Sequence, residues 1–203
     1  MIRLRDVAYW YPGTSRPAIE HLSLEAEEGE IVGITGPNEC GKTTVCLVAS
    51  GLAPRVVGGR LHGSVEIPAG CTALLDSPSA QLSGLHRTVF QEVAFGPCNL
   101  GLSAAEAQAR TWSAMEATGI VALAERHPEH LSGGERQLVA LAGLVAMRPR
   151  HLILDEPLAR LDEAGRLMVG AALQDLCQAG TGMIIAEHDT GFLARLGART
   201  IAL

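Results

Sequence analysis

The sequence predicts an α/β fold: a mostly parallel sheet with helices on both faces and a helical block set into it. Three observations carry that expectation. Over the last third of the chain, short apolar segments alternate with amphipathic helical ones. The segment 31–35 is a continuous apolar run, the pattern of a strand covered on both faces. Between residues 76 and 130 the strand pattern disappears and helical periodicity takes over.

Taken in order, residues 2–9 alternate partly, as do 22–26, and both read as half-buried strands. The run 31–35 ends in Gly36, and 42–50 reads as a helix stopped by Gly51 and Pro54. Strands are expected at 65–67 and 71–75. In the middle block, 88–96, 103–118 and 120–126 look helical; Ser103 with Glu106 forms a capping box, and Gly119 is a stop. The remainder reads as helix 133–147, strand 151–155, helix 162–178, strand 182–187, a short helix at 190–196 and strand 199–203.

Composition narrows the function classes. The chain has 203 residues, 47% of them apolar and 19% charged, which excludes disorder as the main state and allows a sizeable core. The formal charge of −6 disfavours a nucleic-acid partner, since neutralising phosphate backbones calls for a basic surface. Five cysteines with no CxxC spacing argue against a disulfide framework and a thiolate zinc site, and fit a reducing cytosol. The N-terminus lacks the apolar block of a signal peptide. The longest apolar run, 138–147, is ten residues, whereas crossing a bilayer takes about 20. A membrane role therefore has to come through a partner.

Three segments carry chemistry. Gly36-Pro37-Asn38-Glu39-Cys40-Gly41-Lys42-Thr43 fits G-x-x-x-x-G-K-[ST] between a predicted strand and a predicted helix. Backbone N–H groups of such a loop, with Thr44 just inside the helix, close around phosphate oxygens, and the helix start adds partial positive charge. Lys42 reaches toward the β- and γ-phosphates, and the Thr43 hydroxyl is a ligand for Mg²⁺. Second, Leu152-Ile153-Leu154-Asp155-Glu156-Pro157 is an apolar strand ending in two carboxylates. Strand alternation sends Asp155 to the metal shell and Glu156 to another spot, suited to polarising an attacking water. Third, Leu131-Ser132-Gly133-Gly134-Glu135 opens the helix 133–147. Ser132 and Glu135 make a capping box, but two glycines in a first helical turn cost roughly 1 kcal/mol each relative to Ala. That cost is understandable where something approaches the backbone closely.

With the phosphate loop, LSGGE, LILDEP and a late His188 in this order, the whole chain resembles the ATP-binding subunit of an ABC transporter. The stretch 93–102, VAFGPCNLGL, resembles most the energy-coupling-factor group and its cobalt and nickel uptake relatives. The resemblance implies a P-loop NTPase fold with an N-terminal antiparallel β subdomain. One ATP-binding domain would span 1–203, with its core in 1–75 and 131–203 and a helical subdomain at 76–130. It further implies an ATPase that pairs head-to-tail with a second ATP-binding subunit over MgATP, as a homodimer, a heterodimer or a fused tandem half. Ser132, Gly133, Gly134 and Glu135 would then act on the partner's nucleotide. Tyr11 matches the aromatic that stacks on adenine, Glu156 the catalytic carboxylate, His188 the γ-phosphate sensor and Asp162 the dimer seam. A transmembrane transporter component would dock near residues 76–99, with Phe90, Val93 and Phe95 as apolar anchors, at the cytoplasmic face of the membrane.

The sequence departs from the family pattern in three places. Glu39 stands where a glycine is usual; it is expected to point to solvent and to be strained if the backbone there takes φ > 0. Beside it, Cys40 replaces a small serine. Asp76 aligns with the glutamine that contacts Mg²⁺ and the membrane partner, though Gln81 offers a second alignment. Glu135 replaces a glutamine and adds charge beside the partner's γ-phosphate, which argues for a non-identical partner. Family members continue beyond Leu203, so a short member, a fragment and half of a tandem all fit. A soluble ABC-type ATPase and an impaired regulatory subunit are the alternatives, and the transported substrate, a vitamin or a transition-metal ion, is not written in these motifs.

Overall fold

The computed structural model describes residues 1–75 and 82–203, and the chain divides into two compact units. The first comprises Met1–Leu75, Arg150–Glu156 and Cys177–Leu203. It holds strands β1 (Ile2–Trp10), β2 (Ile19–Ala26), β3 (Ile31–Thr35), β4 (Arg60–Glu66), β5 (Cys71–Leu74), β6 (His151–Asp155), β7 (Gly182–Ala186) and β8 (Arg199–Ala202), with helices α1 (Lys42–Ala49) and α6 (Thr190–Arg195). β2, β1 and β4 form an antiparallel sheet in that order; β5, β6, β7, β3 and β8 form a parallel one.

β6 and β7 are buried at every position, and β3 at all but its last. This explains why their middles, such as Leu152–Leu154, are apolar runs rather than alternating ones. α1 packs on β6 and β7, and its Val45, Cys46 and Val48 join Ile34, Ile153, Ile184 and Ala186 in one core. β1 adds Ile2 and Leu4 to the same core from the other sheet.

β4 begins at Arg60, five residues before the expected strand. It is largely exposed, so no apolar period marks it; pairing with β1, Trp10 opposite Arg60, is what makes it a strand. The Arg60 guanidinium lies 5.1 Å over the Trp10 ring and reinforces that register.

The second unit comprises Asp76–Pro149 and Pro157–Leu176. Helices α2 (Val89–Asn99), α3 (Ala104–Ala117) and α4 (Gly133–Met147) pack on one another, and α5 (Glu163–Gln178) lies mostly within it. Thr88 and Ser103 cap α2 and α3 through Gln91 N–H and Glu106 N–H. The helix expected at 120–126 is only a 3₁₀ turn at Val121–Leu123. The Ala124 and Arg126 carbonyls accept from Phe90 and Val89 N–H instead of continuing a helix.

Candidate functional site

In the first unit three parallel strands deliver their carboxyl ends to one place, where open α/β sheets bind ligands. β3 runs into the loop 36–41, β6 ends at Asp155, and β7 leads to Glu187 and His188. Two backbone bonds fasten these ends: Glu156 N–H to Ala186 O at 2.9 Å and Glu187 N–H to Ile34 O at 3.1 Å.

The loop is built on its glycines. Gly41 has φ 106°, and a Cβ there would lie 2.7 Å from the Ala18 carbonyl oxygen. α1 follows with no side-chain cap and no acid in its first turn, so the positive end of the helix is not consumed internally. Lys42 is buried; its ammonium donates to the Gly36 and Pro37 carbonyls at 3.0 Å each, arched over the loop. The Thr44 hydroxyl is 3.1 Å from Tyr11 Oη, and the Tyr11 ring meets Tyr9 edge-on at 5.1 Å, so Tyr11 is pinned at the rim. Tyr11, Asn38, Glu39, Lys42, Thr43 and Glu156 line a cleft of about 540 Å³, within the range of small-molecule sites.

Glu39 sits at φ 66°, in the left-handed region, with its side chain exposed. An L-residue pays about 1 kcal/mol there, so the strain anticipated for a non-glycine residue is present. Cys40 belongs to the neighbouring depression, with Arg16 and Leu203, rather than to the cleft lining.

Asp155 is 1% exposed on the α1 side of the sheet. Burial, and secondarily its charge, hold the adjacent Cys46 thiol well above the ordinary thiol range. Glu156 is separated from Asp155 not by strand alternation, as expected, but by a turn: its φ is 48°, which lifts it onto the cleft wall. No group of three or more His, Cys, Asp or Glu able to hold a metal occurs among the described residues. The Thr43 hydroxyl on the cleft wall and the buried Asp155 carboxylate are hard oxygen donors of the kind Mg²⁺ takes, its shell otherwise completed by water and phosphates. Asp76 and Gln81 lie outside the described residues.

His188 is 59% exposed in its side chain, and its Nδ1 lies 2.8 Å from Glu187 Oε1. Glu187 is fully buried and escaped the sequence reasoning; the available signal was an acid directly following the apolar run 182–186.

In the second unit the two ends of the serine–glycine segment pair with each other. Ser132 Oγ accepts from Glu135 N–H at 3.2 Å, and Glu135 Oε2 accepts from Ser132 N–H at 2.7 Å. Arg126 Nη1 donates to Glu135 Oε1 at 2.8 Å. These bonds, those to Ser132 foremost, hold the Glu135 carboxyl below the usual range, and Arg126 offsets the added charge that argued for a non-identical partner. The two glycines differ. A Cβ on Gly134 would meet the Arg160 carbonyl oxygen at 2.6 Å, so its own chain makes a close approach there; one on Gly133 would meet only the flexible Arg160 side chain, at 3.4 and 3.5 Å. Asp162 Oδ1 accepts from Gly165 N–H at 2.8 Å, capping the start of α5.

α2 and α4 also frame an apolar groove of about 320 Å³ that includes Phe95, Leu100, Met147 and Glu92. Of the three expected anchors only Phe95 is exposed. Val93 is fully buried, and Phe90 packs on Trp112 with centroids 4.9 Å apart. Their apolar character is consumed by packing within the helical block. No helix among the described residues is long and apolar enough to cross a membrane.

A family model described as ABC transporter matches residues 19–159. The chain is 39% identical over 203 residues to the cobalt import ATP-binding protein CbiO of Rhodobacter capsulatus, covering 95% of this chain and 71% of that protein. It is 35% identical over 213 residues to the energy-coupling factor transporter ATP-binding protein EcfA of Methanothermobacter thermautotrophicus, covering 100% and 68%. Among solved structures, the dimeric structure of a bacterial ABC transporter cassette matches with a TM-score of 0.83 and 25% identity, over 100% of this chain and 94% of that one.

Proposed function

The chain belongs to the ABC transporter family of ATP-binding proteins, a family of P-loop ATPases, and from that premise we propose that it powers an uptake transporter of the energy-coupling-factor type. The observation that carries the reading is the cleft in which an uncapped helix start, Lys42, Thr43 and Glu156 converge. The two units act as one nucleotide-binding domain. Tyr11 supports the adenine ring, the amides of 36–44 and Lys42 hold the phosphates, Glu156 orients the attacking water, and His188 meets the γ-phosphate. Thr43 and Asp155 would hold Mg²⁺, which when bound neutralises phosphate charge.

A head-to-tail pair brings Ser132, Gly133 and Gly134 of one subunit to the nucleotide of the other, with Asp162 along the seam. Because Arg126 balances Glu135, a second copy of this chain suits that role as well as a non-identical subunit does. The α2–α4 groove with Phe95 and Leu100 would receive a transmembrane component at the cytoplasmic face of the membrane. Likeness to a cobalt import protein favours a transition-metal ion over a vitamin as the substrate.

The direct test is steady-state ATP turnover of the chain and of Glu156→Gln. Loss of the residue that orients the water should lower kcat by about 10²–10⁴-fold while nucleotide binding is kept. Unchanged turnover in the variant would remove Glu156 from the chemistry and with it this reading of the cleft.

A further inference from the structure

We propose that Glu187 is a positioning residue that locks His188 into the Nδ1–H tautomer and leaves Nε2 as the ring nitrogen available to a ligand. The inference rests on the reading of His188 as the residue that meets the γ-phosphate, and deepens it.

Glu187 is fully buried at the end of β7, and its N–H is tied to Ile34 O of β3 at 3.1 Å. Its carboxylate is thus carried by the rigid sheet rather than by a loop. Oε1 accepts from His188 N–H at 2.8 Å and from Asp189 N–H at 3.2 Å, which fixes both the carboxylate and the turn that bears the histidine. The same oxygen lies 2.8 Å from His188 Nδ1. Oε2 is buried with no hydrogen-bond partner among the described residues, so the donors that offset burial of this acid converge on the one oxygen facing the imidazole.

Two lone pairs 2.8 Å apart would repel, so this contact favours the proton on Nδ1, facing the carboxylate oxygen. The nitrogen that carries the proton in a histidine is set by the bond its other nitrogen makes. With Nδ1–H turned inward, the neutral ring offers a lone pair at Nε2, and a donor there exists only in the imidazolium, for which Glu187 is the counter-ion. A flexible, exposed histidine would instead sample both tautomers and several ring orientations. Glu187 removes that freedom at the position where a terminal phosphate would be sensed.

The test combines a spectroscopic readout with a mutant cycle on the full chain. Long-range ¹H–¹⁵N correlation of the His188 ring, assigned with His188→Ala, should show a protonated Nδ1 and an unprotonated Nε2 in the neutral wild-type ring. Glu187→Ala should shift the ring toward the Nε2–H form that free histidine prefers. Glu187→Gln, which keeps size and an acceptor oxygen, should retain much of the Nδ1–H form and guards against a folding artefact. A wild-type ring already in the Nε2–H form, or one unchanged in Glu187→Ala, would overturn the proposal. In turnover, Glu187→Ala should lower kcat about ten- to a hundredfold with KM for MgATP unmoved, as for other groups that orient a histidine. It should add nothing in a His188→Ala background. Full additivity would show that Glu187 does not act through His188. If His188→Ala alone leaves kcat unchanged, the phosphate-sensing reading falls, while the ring spectrum still decides the tautomer lock.

Discussion

Helices α1 and α4 each begin at a glycine, and they begin in opposite ways. α1 starts after left-handed Gly41 with neither a side-chain cap nor an acid in its first turn, and the nearest cation, Lys42, is parked on two loop carbonyls. α4 starts with a complete capping box, and its acid is further held by Arg126. The first helix start leaves its positive end unspent, which suits an anion arriving from solution. The second has paired the Ser132 and Glu135 N–H groups within its own capping box and has placed an acid in its first turn, which disfavours capture of a free anion there. The same Gly-rich chemistry thus yields a primary binding site in one unit and a complementary surface in the other.

Lys42→Ala removes the cation of the open helix start and should cost about 3 kcal/mol of nucleotide binding, roughly a hundredfold in Kd. Arg126→Ala, which loosens only the closed start, should leave that Kd unchanged; isothermal titration of both variants with MgATP decides. Gly134→Ala forces a Cβ against the Arg160 carbonyl and should destabilise the fold by about 1–3 kcal/mol. Gly133→Ala has room and should stay within about 0.5 kcal/mol, although it should impair ATP-driven pairing. Equal thermal shifts for the two glycine variants would erase the distinction drawn between them.

A smaller effect concerns pH. The folded Glu135 carboxyl titrates below its unfolded value, so its contribution to stability is complete above the unfolded value and disappears as pH falls through the folded one. Glu135→Gln should therefore narrow its stability deficit relative to wild type as the medium is acidified below about pH 4.3, the ordinary glutamate value. Thermal melts across that limb provide the check, and a deficit independent of pH would contradict it. Smallest of all, Glu39→Gly relieves the left-handed strain but adds chain entropy, for a net gain of about 0.5 kcal/mol. A loss of stability there would mean that the Glu39 side chain contributes a contact outweighing its strain.

What the residues announced in advance follows from how each element is stabilised. β3, β6 and β7 are legible because burial on both faces demands apolar runs, and the phosphate loop because its glycines and lysine have fixed jobs at fixed spacing. β4 is illegible because an exposed edge strand has no period; only its partner defines it. Phe90 and Val93 looked like a docking face because apolar character alone does not distinguish core from interface. Gly134 shows the same limit: the sequence says that its backbone must be approached, and only the structure shows that the Arg160 carbonyl is one of the groups that does so. Glu187 was hidden for a similar reason: two backbone N–H donors and the His188 ring are gathered on one of its oxygens by the turn after β7, and none of this can be read from the letter itself.

The central claim, that the start of α1 alone captures the triphosphate, is tested most directly by amide hydrogen exchange. A nonhydrolysable ATP analogue with magnesium is added to the chain at concentrations where it is a single subunit. The account predicts strong new protection across residues 36–44 and none at 132–135. Protection first at 132–135, or an unchanged profile at 36–44, would contradict it.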